Sequence, residues 1–303
     1  MELESLVVDV PGGRKVYVEH HRFDPAFETV ILVNGALATT TSFNQTVKYL
    51  KEHFNVVLFD LPYAGQSKEH NPIGDAEHLT KDDEVDILCH LIDRFRPDYL
   101  ISISWGGVAA LLALARGRNS VKRAVIGSFS PVLNAPMLDY INRAQVLLER
   151  RDRHGAADLL NSTVGKYLPR LLKLYNYRYL SSLPVEDCGQ VAFHIRQILQ
   201  LDSANYVEKL SSIKVPLLFV NGELDEYTSA QDVRALARHI PHCEFTTVSK
   251  AGHFLDLEGK HSWAEVRRIT NGFLRSESER GTVMVPVTHS GSALEPELAA
   301  AAG

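Results

Sequence analysis

A mostly parallel α/β sheet with helices on both faces and an inserted helical cap is the architecture that these 303 residues predict. Three observations carry it. Continuous β-branched apolar runs, such as Val30 to Val33 and Val56 to Phe59, mark strands buried on both faces. Between residues 29 and 126 such runs alternate with helical patterns, and that alternation makes a parallel sheet whose ligands sit at the carboxyl ends of its strands. From residue 133 to 210 no strand pattern occurs, only helical periodicity, so the chain leaves the sheet there and later returns to it.

Residues 5–22 alternate apolar and polar around Pro11, Gly12 and Gly13, the pattern of a hairpin with a Gly-Gly turn. A strand over 29–33 ends at Asn34, Gly35 and Ala36; a polar helix over 41–53 and a strand over 54–59 follow, the strand closing on Asp60. Residues 68–79 are charged and turn-rich and read as a surface loop. Val85, Leu88, Leu91, Ile92 and Phe95 recur at helical spacing over 81–95, and Pro97 stops that helix. An apolar strand from Tyr99 runs into Ser104, then come a helix over 106–116 and a strand over 121–126. Helices are expected in the insertion at 136–150, 155–162, 166–180 and 190–201. The sheet resumes with a strand at 215–220, a helix at 229–240, a strand at 244–248 and a closing helix over 262–274. This gives an α/β core over 1–132 and 211–275, a helical cap over 133–210, and a tail over 276–303 with too little to bury to stay ordered.

The 45% hydrophobic content supports one large core with an insertion, and a net charge of -5 gives no reason to expect nucleic acid as a partner. Cys89, Cys188 and Cys243 are scattered and odd in number, which suggests neither a disulfide framework nor a metal site and suits a reducing cytoplasm. The first residues lack a basic stretch followed by an apolar one, and no run reaches membrane-spanning length, so a cytoplasmic protein without stable membrane insertion is expected.

Ser102-x-Ser104-x-Gly106 has the small-x-Ser-x-Gly form of a nucleophile elbow, a turn so tight that small residues must flank the serine. Asp225 and His253 follow later strands, so Ser104, Asp225 and His253 appear in the order nucleophile, acid, histidine, each at a strand's carboxyl end, as in α/β-hydrolases. Histidine would accept the serine proton and return it to the leaving group; aspartate would fix the imidazole tautomer. Glu223 is the alternative acid. The expected oxyanion donors are the backbone N–H groups of Trp105 and Ala36. Asn34, Leu37, Trp105 and His194 are candidate substrate contacts, with Trp105 either a pocket wall or simple packing and His194 either structural or a minor contact. Leu168, Leu171, Leu172, Leu174, Tyr175 and Tyr179 lie beside Lys166, Arg170, Lys173 and Arg178. An apolar face turned to the core with a solvated basic face is the ordinary meaning of that pattern; the sharper one is a docking surface for an acidic partner.

Several motifs resemble a narrower family. Asn34-Gly-Ala-Leu-Ala-Thr-Thr-Thr-Ser-Phe43, Phe59-Asp-Leu-Pro-Tyr-Ala-Gly-Gln-Ser67, Ser104-Trp-Gly-Gly107, Thr163-Val-Gly-Lys-Tyr-Leu-Pro169, Asn221-Gly-Glu-Leu-Asp-Glu-Tyr-Thr228 and Gly252-His-Phe-Leu-Asp-Leu-Glu258 are similar to the acyltransferases of rhamnolipid biosynthesis, the 3-(3-hydroxyalkanoyloxy)alkanoate synthases. The similarity spans roughly residues 2–275. It implies a synthase that joins two 3-hydroxyacyl groups, delivered as thioesters on acyl carrier protein or coenzyme A, into a 3-(3-hydroxyalkanoyloxy)alkanoic acid. It also implies Ser104, Asp225 and His253 as the triad, and no cofactor. The related 3-hydroxyacyl carrier-protein:coenzyme A transacylases share most of these motifs. The remaining alternatives are an esterase or thioesterase, with water as acceptor, and a ligand receptor without turnover, which the intact triad disfavours.

Overall fold

The computed structural model describes residues 2–71, 78–117, 120–200 and 203–276; the expected disordered tail from 277 onward lies outside the described residues. β1 (Glu2–Val10) and β2 (Arg14–Arg22) form the hairpin, with Gly12 and Gly13 at positive φ in its turn. β2 pairs antiparallel with β4 (Asn55–Asp60). β4 then runs parallel with β3 (Thr29–Val33), β5 (Tyr99–Ile103), β6 (Arg123–Gly127), β7 (Leu217–Gly222) and β8 (Cys243–Val248), in the order β1-β2-β4-β3-β5-β6-β7-β8. Every residue of β4 and β7 is buried, which is why both read as unbroken apolar runs. β4 lies on one side of β3 and β5 on the other, so the chain reverses direction at β3 and opens a crevice at the carboxyl ends of β3 and β5.

On one face of the sheet, α2 (Lys81–Phe95) and α3 (Gly106–Ala115) contribute Val85, Leu88, Leu91, Val108 and Leu111 to the larger core. On the other, α1 (Asn44–Leu50) and α10 (Lys260–Arg275) contribute Tyr49, Leu50, Val266 and Phe273. Thr80 starts α2 with a capping box closed by Asp83, and Arg96, in the left-handed conformation just before Pro97, ends it. Between β6 and β7 lie α4 (Ala135–Glu149), α5 (Arg153–Ser162), α6 (Arg170–Ser182), α7 (Val185–Leu199) and α8 (Ser203–Lys209). Two small apolar clusters hold them to the core: Met137, Ile141 and Ile195 gather around Trp105, and Ala157, Leu180 and Leu183 around Leu37.

The structure departs from the sequence expectations at several boundaries. The 41–53 helix is a 3-10 turn (Thr40–Phe43) followed by α1, because Asp60 Oδ1 takes the Thr40 N–H at 2.7 Å. The 229–240 helix is one turn, α9 (Ala230–Val233), running into a 3-10 segment (Arg234–Arg238). Pro169 and Pro184 precede the first turns of α6 and α7, which moves both starts and leaves Lys166 in the turn before α6; α8 has no counterpart among the expected helices. Asn71, expected on a surface loop, is buried and accepts the Lys15 N–H at 2.9 Å. The apolar face expected to be buried on α6 is largely solvated: Leu171 is 76% exposed and Tyr175 59%.

Gly106 meets the end of β3 so closely that a Cβ on it would lie 2.3 Å from Asn34 O and 2.9 Å from Val33 O. Backbone cannot step aside there as a side chain would. Gly106→Ala is therefore expected to cost about 3 kcal/mol in urea unfolding. Gly272→Ala in α10, where a Cβ meets nothing within 4 Å, should instead gain ~0.5–1 kcal/mol; similar losses at both sites would refute the close-approach argument.

Candidate active site

Ser104 follows β5 on the turn into α3 with φ of 55°, a left-handed conformation that costs a residue bearing a Cβ about 1–2 kcal/mol. Its N–H donates to Gly127 O at 2.8 Å, which ties the turn to β6. Ser102 fills the position where a smaller glycine would serve; it is fully buried, and its Oγ has no hydrogen-bond partner among the described residues.

His253, in the loop after β8, lies with Nε2 3.0 Å from Ser104 Oγ and Nδ1 2.9 Å from Asp225 Oδ2. Asp225 follows β7 and is buried, its Oδ1 accepting the N–H groups of Tyr227 at 3.0 Å and Thr228 at 3.1 Å. Burial opposes ionisation of this carboxyl, but the charge and hydrogen bond of His253 and the bonds from Thr228 outweigh it and hold its pKa below the usual value. Glu223, the alternative acid, is exposed and accepts the Lys250 N–H at 2.7 Å instead. The supporting roles of three residues were not expected from sequence. Thr228 Oγ1 donates to Asp225, Ser128 Oγ donates to the His253 carbonyl, and Glu258 receives the N–H groups of Gly252 and Phe254 on either side of the histidine. A threonine or glutamate in such a loop has no signal in a single sequence. This arrangement can generate a serine alkoxide by passing its proton to a neutral imidazole.

Above Ser104 lies a cavity of about 970 Å³, at the upper end of the ~300–1,000 Å³ range of small-molecule sites. Met137, Ile141, Leu148, Leu160 and Leu172 of the inserted helices form its roof. Asn34, Ala36, Leu37 and Trp105 all line it, and Trp105 also packs against the Met137 cluster, so it is wall and packing residue at once. The backbone N–H groups of Ala36 and Trp105 donate to no protein acceptor among the described residues. His194 does not line this cavity. It is buried behind Trp105, 2.9 Å from Leu79 O and 2.7 Å from the Gln190 amide; burial lowers its pKa despite the nearby Glu84. Of the four candidate docking cations, Lys166 pairs with Glu226 at 3.1 Å and Lys173 donates to Lys166 O at 2.7 Å, while Arg170 and Arg178 pair with no acid among the described residues.

The sequence model of the alpha/beta hydrolase fold matches residues 28–260. The chain belongs to the alpha/beta hydrolase fold family. Within it, the (R)-3-hydroxydecanoyl-ACP:CoA transacylase of Pseudomonas aeruginosa is 46% identical over 277 residues, covering 91% of this chain and 92% of the relative. The protein of the same name from Pseudomonas putida is 46% identical over 275 residues, with the same coverage. The crystal structure of MGS-M2, an alpha/beta hydrolase from a deep-sea metagenome library, superposes with a TM-score of 0.74 at 16% identity, covering 92% of this chain and all of that one, a likeness of fold. No helix among the described residues is long and apolar enough to cross a membrane.

Asp256, three residues after His253 and also lining the cavity, is buried and accepts the Thr46 hydroxyl at 2.7 Å. Burial pushes its carboxyl up to about 6, against the opposing hydrogen bonds. With the folded pKa above the unfolded one, the group's contribution is whole below about pH 4 and is lost as pH rises through about 6, a change on the order of 3 kcal/mol. Asp256→Asn, which mimics the protonated acid, is expected to raise the melting temperature at about pH 8 more than at about pH 4. An equal shift at both would rule out the buried ionisation.

Proposed function

We propose that this protein is an acyltransferase that takes a 3-hydroxyacyl group from a thioester, holds it on Ser104 and passes it to a second acyl group. The observation that carries the proposal is the aligned contact of Ser104, His253 and Asp225 at the floor of a large apolar cavity roofed by inserted helices. Ser104 Oγ attacks the thioester carbonyl while His253 Nε2 takes its proton. The oxyanion sits on the Ala36 and Trp105 N–H groups. Collapse expels the thiolate, which leaves with the proton from His253. The 3-hydroxyl of the second acyl group then gives its proton to His253 and attacks the acyl-serine; Ser104 leaves and is reprotonated. The product is a 3-(3-hydroxyalkanoyloxy)acyl thioester, and hydrolysis of that thioester by water releases the free acid and the carrier thiol. Water competes for the acyl-serine. The roof of aliphatic side chains excludes it and holds the acceptor hydroxyl at high effective concentration.

The relatives' name favours a second reading in which coenzyme A takes the acyl group. A carrier protein is received, on either reading, by Arg170 and Arg178 of α6. They flank the exposed Leu171, Leu174 and Tyr175, and the presence of Tyr175 in the cavity lining supports a docking site beside the cavity. The core over 1–132 and 211–275 makes and breaks bonds in this scheme, and the insertion over 133–210 selects the chains.

Incubation of the protein with 3-hydroxyacyl carrier protein, with and without coenzyme A, and identification of products by mass separates the readings. A dimeric hydroxy-ester is expected; acyl-coenzyme A supports the second reading, and free monomeric acid alone would make the protein a hydrolase. Ser104→Ala should lower kcat by at least about 10³-fold. Arg170→Glu combined with Arg178→Glu should raise KM for the carrier-protein thioester by roughly tenfold, and less at high salt, with little change for the coenzyme A thioester.

A further inference from the structure

A second cavity, of about 80 Å³, shares with the large one the loop of residues 34–38 and Trp105. Its far wall is polar: Lys68 pairs with Asp187 and Lys81 with one Glu84 oxygen at 2.8 Å, while the other Glu84 oxygen lies 3.1 Å from His194 Nε2 and has no hydrogen-bond partner among the described residues. Asn34 is 9% exposed, and neither Oδ1 nor Nδ2 has a hydrogen-bond partner among the described residues. Such a carboxamide carries an uncompensated desolvation cost, which a ligand that arrives with its own donor and acceptor would cancel.

The backbone of residues 34 and 35 lies beside Ser104, and Asn34 lines both cavities. Asn34 O packs on Gly106, and a Cβ on the next residue, Gly35, would lie 3.8 Å from Ser104 Oγ. An acyl group on Ser104, with its carbonyl oxygen on the Ala36 and Trp105 N–H groups, carries a 3-hydroxyl only two carbons away, on the stretch of chain nearest residue 34. A hydroxyl is one donor and an acceptor, and a carboxamide offers both complements. We propose that Asn34 reads the 3-hydroxyl of the acyl group held on Ser104 and so sets the preference for 3-hydroxyacyl over unsubstituted acyl donors. This rests on the reading that Ser104 is acylated by a thioester. It assigns Asn34 a role in specificity, separate from the bond-making residues. A site that hydrogen-bonds a substrate hydroxyl rejects the analogue lacking it, because the protein group is then left buried and unpaired.

The test isolates the first half-reaction, since the hydroxyl also acts as acceptor in the second. Release of free thiol in a single turnover is followed with 3-hydroxydecanoyl-coenzyme A and with decanoyl-coenzyme A, for the wild type, Asn34→Leu and Asn34→Ala. The wild type should prefer the hydroxylated donor in kcat/KM by tenfold or more, and both variants should lose roughly tenfold of that preference. The ratio between two substrates is insensitive to a general loss of folded protein, and Asn34→Ala only removes atoms if the larger leucine is not accommodated. Equal rates on both donors in the wild type, or a ratio unchanged in the variants, would overturn the assignment while leaving acylation of Ser104 intact. No thiol release from either donor by the wild type would instead overturn the acyl-enzyme reading beneath it.

Discussion

The site depends on one close approach, that of Gly106 to the main chain of Val33 and Asn34. Because nothing wider than a hydrogen fits there, the start of α3 can be driven against the end of β3. Ser104 is then forced into its left-handed turn, and the 34–37 loop comes alongside it. One contact thus brings together Ser104, the Ala36 and Trp105 N–H groups and the Asn34 amide, the last three without partners among the described residues. The strain in the serine backbone is offset by its hydrogen bond to Gly127 and by the buried strands on either side. Such preorganisation lowers the reorganisation needed when charge develops during reaction.

The opposite side of the site is built on different means. His253 comes from a loop, and loops drift unless held. Here Glu258 closes the loop on itself, Ser128 clamps the histidine carbonyl, and Asp225 is fixed in turn by Thr228 and Tyr227. The imidazole therefore has a defined orientation before any ligand enters, with one nitrogen on the carboxylate and the other on the serine.

The central strands were legible in the sequence because burial on both faces leaves unbroken apolar runs, and Ser104, Asp225 and His253 were legible because each follows the carboxyl end of a strand, although β8 before His253 is a half-exposed edge strand. What was lost depended on distant partners. The turn at Thr40–Phe43 is decided by Asp60, and the burial of Asn71 by the edge of β2. For α6, periodicity located the helix without saying which apolar side would meet a neighbour: Leu180 is buried with Ala157 and Leu183, whereas Leu171 is largely exposed. Trp105 drew two competing readings from sequence, and the structure joins them, since a large side chain beside Ser104 can line a cavity with one edge and pack with the other.

The position of the five inserted helices, between β6 and β7, has an evolutionary consequence. Ser104 precedes the insertion, while Asp225 and His253 follow it, and none of the three belongs to it. Yet its aliphatic side chains form most of the cavity roof. Mutation can therefore recontour the cavity within one continuous segment of sequence while Ser104, Asp225 and His253, which lie outside it, are left in place.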